Sequence, residues 1–146
     1  MKKTAQVILE SPGGTGLRFR ALTDSGLIYH FDSGPDVTDP NPMDALIAGL
    51  GACTGMDVMT ILRKKRLDVT GYVIDLDGDR RDEHPKSYTR IEIVHRVRGR
   101  GLSRAAVEDA VRLSETKYCS VYATLAPAVT LSSRVEVEEE TVVAPT

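Results

Sequence analysis

Residues Pro42 to Arg66 read PMDALIAGLGACTGMDVMTILRKKR, and the reading of this stretch decides the fold. Pro42 suits a first helical position, where a missing N–H costs nothing. Asn41 before it can cap the helix, and Asp44 falls in the first turn, where the helix dipole favours negative charge. Arg63, Lys64, Lys65 and Arg66 close the other end, where cations are favoured. The stretch predicts a helix of about 37 Å. Met43, Leu46, Ile47, Leu50, Met56, Val58, Met59, Ile61 and Leu62 cover more than one face of it. The expectation is therefore a central helix buried all round, with Cys53 near its middle. Gly49, Gly51 and Gly55 bracket that thiol at a cost of about 1 kcal/mol each relative to Ala. They predict either the close approach of another backbone or ordinary close packing.

A chain of 146 residues with 41% hydrophobic residues and a formal charge of −2 is expected to form one domain, 1–146. That charge argues against a nucleic-acid or membrane-surface partner. Arg96, Arg98, Arg100 and Arg104 read as a solvated patch at the end of a hairpin. The sequence reading finds no membrane span and no signal peptide. It thus points to a cytoplasmic protein, where two cysteines are more often buried, reactive or metal-binding than disulfide-bonded.

Outward from the central helix, Thr4 to Leu9, Leu17 to Leu22 and Leu27 to Phe31 read as three strands. The first two are joined by the glycine-rich turn Ser11 to Gly16, whose GGTG matches no Walker or dinucleotide pattern. After the helix, Tyr72–Asp77 and Arg90–Val97 alternate with the period of strands, and the polar GDRRDEHPKS between them reads as a hairpin loop. Ser103 opens a second helix to about Tyr118, with Val107, Ala110, Val111, Ser114 and Tyr118 at helical spacing. Ser120 to Ala126 suggests one more short helix, Val129 to Val137 a last strand, and Glu138 to Thr146 a frayed tail. The order is that of an α+β fold. One short sheet covers only one side of the central helix, so a homodimer is expected to cover the other.

Cys53 and Cys119 form no CxxC pair, and each lies on or beside a helix expected to pack centrally. A peroxide-reducing thiol needs a thiolate, a cation to hold it and a second thiol to resolve the sulfenic acid. At an ordinary pKa of about 8.5, about 3% of a thiol is ionised at pH 7. Cys53 lies too deep in its helix for the N-terminal dipole to help, so a side-chain cation is required. Asp57, one turn on along the same face, opposes ionisation unless it is itself paired. Cys119 precedes a short helix, whose N-terminus favours anions. The alternative for each cysteine is a buried, inert thiol.

The segments NPMDALIAGLGACTGMDV (Asn41 to Val58) and KYCSVYATL (Lys117 to Leu125) resemble the two cysteine motifs of the OsmC/Ohr family, the osmotically inducible and organic hydroperoxide resistance proteins. RRDEHP (Arg80 to Pro85) and VRGRGLS look like an OsmC-like subgroup. The resemblance implies an intertwined α+β homodimer, with long central Cys-bearing helices packed between antiparallel sheets. It implies thiol-dependent reduction of organic hydroperoxides without metal or cofactor. Cys53 would be peroxidatic and Cys119 resolving, with a dithiol reductant, in some relatives a lipoyl group. Family sites also use an arginine from an N-terminal strand, here Arg18 or Arg20, and an acidic residue in the first helical turn, here Asp44. Met43 stands where the hydroperoxide reductases carry Glu directly after Pro. Nine residues separate Asp44 from Cys53, about 900° of helical rotation, which puts them on opposite faces. A site shared between two subunits follows as an expectation.

His30, His84 and His95 match no common metal-ligand spacing with the cysteines, so no metal is expected. His95 alternates with apolar residues and reads as packed, and His84 as a loop residue. The alternative to a peroxidase is a non-catalytic redox-sensing module, or one binding a small hydrophobic ligand.

Overall fold

In the computed structural model, residues 1–10, 12–34 and 36–141 are described. Two units make up the chain, Met1–Leu46 and Ile47–Thr146. In the first, β1 (Ala5–Leu9), β2 (Phe19–Thr23) and β3 (Ile28–Phe31) form an antiparallel meander. The expected turn therefore does join a hairpin; Ser11 itself lies outside the described residues.

Helix α1 runs Pro42–Lys64. At its start, Asn41 Oδ1 accepts the Asp44 backbone N–H at 2.9 Å, and the Asn41 amide donates to the Asp44 carboxylate. The cap and the acidic first turn stand as the sequence predicts. The helix ends two residues earlier than expected, through backbone geometry. Arg66 adopts φ 58°, its N–H bonds the Arg63 carbonyl, and the Leu67 N–H reaches back to Leu62 O at 3.1 Å. This is a Schellman closure with arginine where glycine is the usual residue.

The second unit holds β4 (Asp68–Arg80), β5 (Tyr88–Arg100), α2 (Arg104–Leu113), a π-helical turn (Ser114–Tyr118), α3 (Ser120–Leu125) and β6 (Thr130–Glu139). The sheet order is β4-β5-β6. The strands β4 and β5 form the predicted hairpin, but β6 runs parallel to β5. The sheets are thus not both antiparallel. The α2–α3 segment is a crossover that returns the chain to the end from which β5 started, and periodicity carries no signal of that direction. Of the tail expected to fray from Glu138, Glu138 and Glu139 instead belong to β6 and the Glu140 N–H bonds the Gly99 carbonyl at 2.8 Å, because the ladder with β5 extends that far; residues 142–146 lie outside the described ones.

The expectation that α1 is buried all round does not hold within one chain. Leu50, Thr54, Val58 and Leu62, at intervals of four, are fully buried, and Gly51 joins them. Val58 and Leu62 pack with Val97, Val107, Ala110, Val111 and Val135. Ala48, Ala52 and Met56 on another face are exposed, because a single three-stranded sheet covers one stripe only. The helix is in fact long and apolar enough to span a membrane, contrary to the sequence reading. Its buried stripe marks it as a core helix.

Gly51 and Gly55 are explained by side chains rather than by another backbone segment of this chain. A Cβ on Gly51 would lie 2.7 Å from Leu76 Cδ1, and one on Gly55 2.7 Å from Ile74 Cδ1, whereas Gly49 faces open space. Close packing of α1 on β4 is the reading that fits.

His95 is fully buried. Its Nδ1 shares a hydrogen bond with the Tyr72 hydroxyl, and Nε2 has no partner among the described residues. Burial pushes its pKa down to about 4 from 6.5. The arginine patch is solvent-exposed, as expected, but Arg96, Arg98 and Arg100 run along β5 rather than clustering at a hairpin end, and Arg104 lies on α2 beside Glu108. Arg96 bonds Asp75 and Glu136 at 2.6 and 2.7 Å, Arg98 bonds Glu138, and Arg100 bonds Asp68. Acidic residues on β4 and β6 neutralise it across the outer face of the sheet, where each exposed pair contributes little stability.

Arg66→Gly removes the left-handed strain and raises unfolding free energy by about 0.5–1 kcal/mol, measurable by urea denaturation. Unfolded His95 binds its proton near pH 6.5, whereas the folded form resists it down to about pH 4. Stability contributed by this group is complete above pH 6.5 and is lost as pH falls through 4, by about 3 kcal/mol in all. A His95→Met variant should show a flatter stability profile over that window.

Candidate active site

Three elements of the second unit converge on one corner. Helix α1 presents Cys53 and, one turn on, Asp57, both beside the buried Thr54–Val58 stripe and half-buried. Ser114 enters from the end of α2 and Cys119 from the start of α3. The sulfurs of Cys53 and Cys119 and a carboxylate oxygen of Asp57 all lie within 4.8 Å of one another. Both thiols are free. The sequence expectation that the two cysteines meet is met.

The π turn sets this geometry. The expected single helix from Ser103 to Tyr118 changes pitch at Ser114, where the Cys119 N–H closes onto the Ser114 carbonyl at 2.8 Å, five residues back. Such widened turns recur at functional sites. The fully buried Ser114 donates its hydroxyl to Asp57 Oδ2 at 2.9 Å. Asp57 is thus the paired carboxylate that the sequence left as a conditional opponent of the thiol. The i, i+4 spacing of Cys53 and Asp57 was its visible signal. Nothing in the sequence marked Ser114 as more than a helix-face residue.

Cys119 caps α3, its Sγ accepting the Tyr122 N–H at 3.3 Å. The expected helix N-terminal help for an anion is present but outweighed. Cys119 is 3% exposed, and burial first, then the neighbouring Cys53 thiol, push its pKa up to about 12. Burial also raises Glu115, which accepts a hydrogen bond from Ser133, and Tyr122. Cys119 therefore stays a thiol through neutral pH and can donate its proton towards Cys53.

Arg18, Arg20 and Asp44 belong to the first unit. Arg18 Nε bonds Asp39 Oδ2 and its Nη1 bonds Glu10 Oε2, each at 2.8 Å. This guanidinium holds the Asp39 carboxyl below the usual range. Arg20 is exposed, and Asp44 is engaged with Asn41. His30 pairs with Glu10 at 3.1 Å, and His84 lies in the β4–β5 loop.

The asymmetry between the thiols is measurable. With iodoacetamide at pH 8, Cys53 should be alkylated at least about tenfold faster than Cys119, whose rate then climbs about tenfold per pH unit towards pH 11. Peptide mapping of the labelled protein reads both rates; equal rates at pH 8 would contradict the electrostatic account of Cys119.

Residues 34–134 match the family described as OsmC-like protein. Protein YhfA of Escherichia coli K12 is 38% identical over 122 residues, covering 84% of this chain and 91% of that protein. A crystal structure of a hypothetical protein from Aquifex aeolicus VF5 superposes with a TM-score of 0.80 at 36% identity, covering 97% of this chain and 99% of the other. The organic hydroperoxide resistance protein OhrB of Bacillus subtilis shares the fold, with a TM-score of 0.59 at 16% identity, over 93% of this chain and 98% of that one. With both cysteine motifs inside or overlapping the matched segments and the fold shared along nearly the whole chain, the protein belongs to the OsmC-like family.

Proposed function

We propose that the chain is a cysteine-based peroxidase that reduces organic hydroperoxides, as a defence against oxidative stress. The observation that carries the reading is the approach of a half-exposed Cys53 to a buried, protonated Cys119 within 4.8 Å. The Cys53 thiolate attacks the distal peroxide oxygen and the O–O bond breaks. The alkoxide takes a proton and leaves as an alcohol, and Cys53 becomes a sulfenic acid. The Cys119 sulfur then attacks the Cys53 sulfur, water leaves, and a disulfide remains. An external dithiol, such as a lipoyl group, reduces that disulfide and is itself oxidised. No metal or cofactor is needed for these steps. The name of the OhrB neighbour, an organic hydroperoxide resistance protein, supports the same chemistry.

The cation of the site belongs to this proposal. Arg18 is already committed to two carboxylates, whereas Arg20 carries no ion pair among the described residues, so Arg20 is the freer of the two candidates. A homodimer is also part of it. The exposed Ala48, Ala52 and Met56 give α1 an apolar face suited to a second copy, and Asp44 would then serve the partner's thiol. The location proposed is the cytoplasm, where both thiols stay reduced.

A second reading draws on the open apolar groove of about 460 Å³ between α1 and β4, lined by Gly51, Gly55, Met59, Tyr72, Ile74 and Leu76. No cysteine lines it, and it suits a small hydrophobic ligand of a redox-sensing module.

Turnover of cumene hydroperoxide with excess dithiol separates the readings. The peroxidase predicts turnover that Cys53→Ser abolishes. Without dithiol, Cys119→Ser should allow one turnover per subunit and trap a Cys53 sulfenic acid reactive with dimedone. No turnover by protein whose two thiols are reduced and accessible would favour sensing or binding.

A further inference from the structure

The histidines match no common metal-ligand spacing, but the fold assembles a ligand set that contains no histidine. We propose that the reduced Cys53, Asp57 and Cys119 cluster is a binding site for a thiophilic divalent cation, with zinc the best match. The proposal rests on the ligand geometry and does not depend on the peroxidase reading.

Three donor atoms lie within 4.8 Å of one another. A tetrahedral zinc with bonds of about 2.3 Å to sulfur and about 2.0–2.2 Å to oxygen needs donors about 3.5–3.8 Å apart. Closing the cluster onto an ion therefore takes shifts of about 1 Å or less, within reach of small side-chain torsions. Two thiolates select a soft or borderline ion over calcium or magnesium. Three protein ligands leave a fourth position open to water, the pattern of zinc sites that exchange ligands rather than of closed structural ones.

The surroundings already orient the ligands. Ser114, itself fully buried, donates to Asp57 Oδ2 at 2.9 Å, and the Tyr122 N–H holds Cys119 Sγ at 3.3 Å. Such outer contacts preserve the aim of metal ligands. Cys53 and Asp57 are half-buried, so an ion can enter from their side. As the two metal–sulfur bonds form, the two thiol protons pass to solvent. A disulfide between Cys53 and Cys119 would remove both sulfur ligands, so metal occupancy and oxidation of this pair exclude each other. The bound ion keeps the pair reduced, and its loss exposes the pair to oxidant.

The test is an anaerobic Co²⁺ titration of the reduced full-length protein, followed by displacement with Zn²⁺. One equivalent of cobalt should produce a thiolate charge-transfer band in the near ultraviolet and intense tetrahedral bands in the visible. Cys53→Ser and Cys119→Ser should each remove most of the charge-transfer intensity. Asp57→Asn should weaken binding at least tenfold. Ser114→Ala should weaken it by about tenfold with the thiolate band retained. Zinc-edge X-ray absorption on the wild-type protein gives an answer that does not depend on how the variants fold. Two sulfurs with two lighter atoms support the site. One sulfur, none or four overturn it, as does an Asp57→Asn variant that binds cobalt as tightly as the wild type. Peroxide turnover, measured separately on metal-free protein, tests the enzymatic reading alone.

Discussion

The structure of the second unit depends on where α1 buries its apolar stripe. Leu50, Thr54, Val58 and Leu62 repeat every four residues and are fully buried. The lower half of that stripe enters the core formed with β5, β6 and α2. Once it is seated, the rotation of the helix is no longer free. Cys53 and Asp57 precede Thr54 and Val58 by one residue each, so they fall at the rim of the buried stripe, beside the α2–α3 junction. Gly51 and Gly55 let the same helix sit close against Leu76 and Ile74. A register shift of one residue would bury the thiol or expose it, and in either case would part it from Cys119.

The chemistry of the corner follows from unequal burial. Cys53 and Cys119 are neighbours, but Cys119 lies deeper, and desolvation outweighs the favourable position at the start of α3. A pair in which one sulfur is accessible and the other is held as a thiol has a built-in order of reaction. Asp57 would be an unfavourable neighbour for such a pair if it stood alone. The buried Ser114 hydroxyl gives its charge a partner, and the π turn brings that hydroxyl to it. The two polar residues and the two thiols thus form one unit, supplied by α1 and, beyond the β4–β5 hairpin, by the α2–α3 junction.

Charge elsewhere is balanced locally. The arginines of β5 alternate with its buried residues, so they share the outer face of the sheet and meet acidic partners from both neighbouring strands. A patch that is basic in the linear sequence is close to neutral in the sheet. In the first unit, Glu10 and Asp39 share Arg18, and Glu10 also meets His30.

Local periodicity and capping chemistry were enough to read most of the elements from the sequence. The strand alternation around Tyr72 and His95, the Asn41 and Ser103 caps and the apolar run through Cys53 are short-range signals. The two cysteine motifs were legible for the same reason, and they pointed to the OsmC-like family. What lay beyond the sequence depended on contacts between distant residues. The parallel direction of β6, the exposed face of α1 and the neutralised arginines arise from how strands and helices pack. The early end of α1 at a left-handed Arg66 and the π turn at Ser114 are backbone choices that residue type does not announce. The pairing of Ser114 with Asp57, and the excess of desolvation over helix-end stabilisation at Cys119, exist only once burial is set. Burial is a property of the assembled core and of no single segment within it.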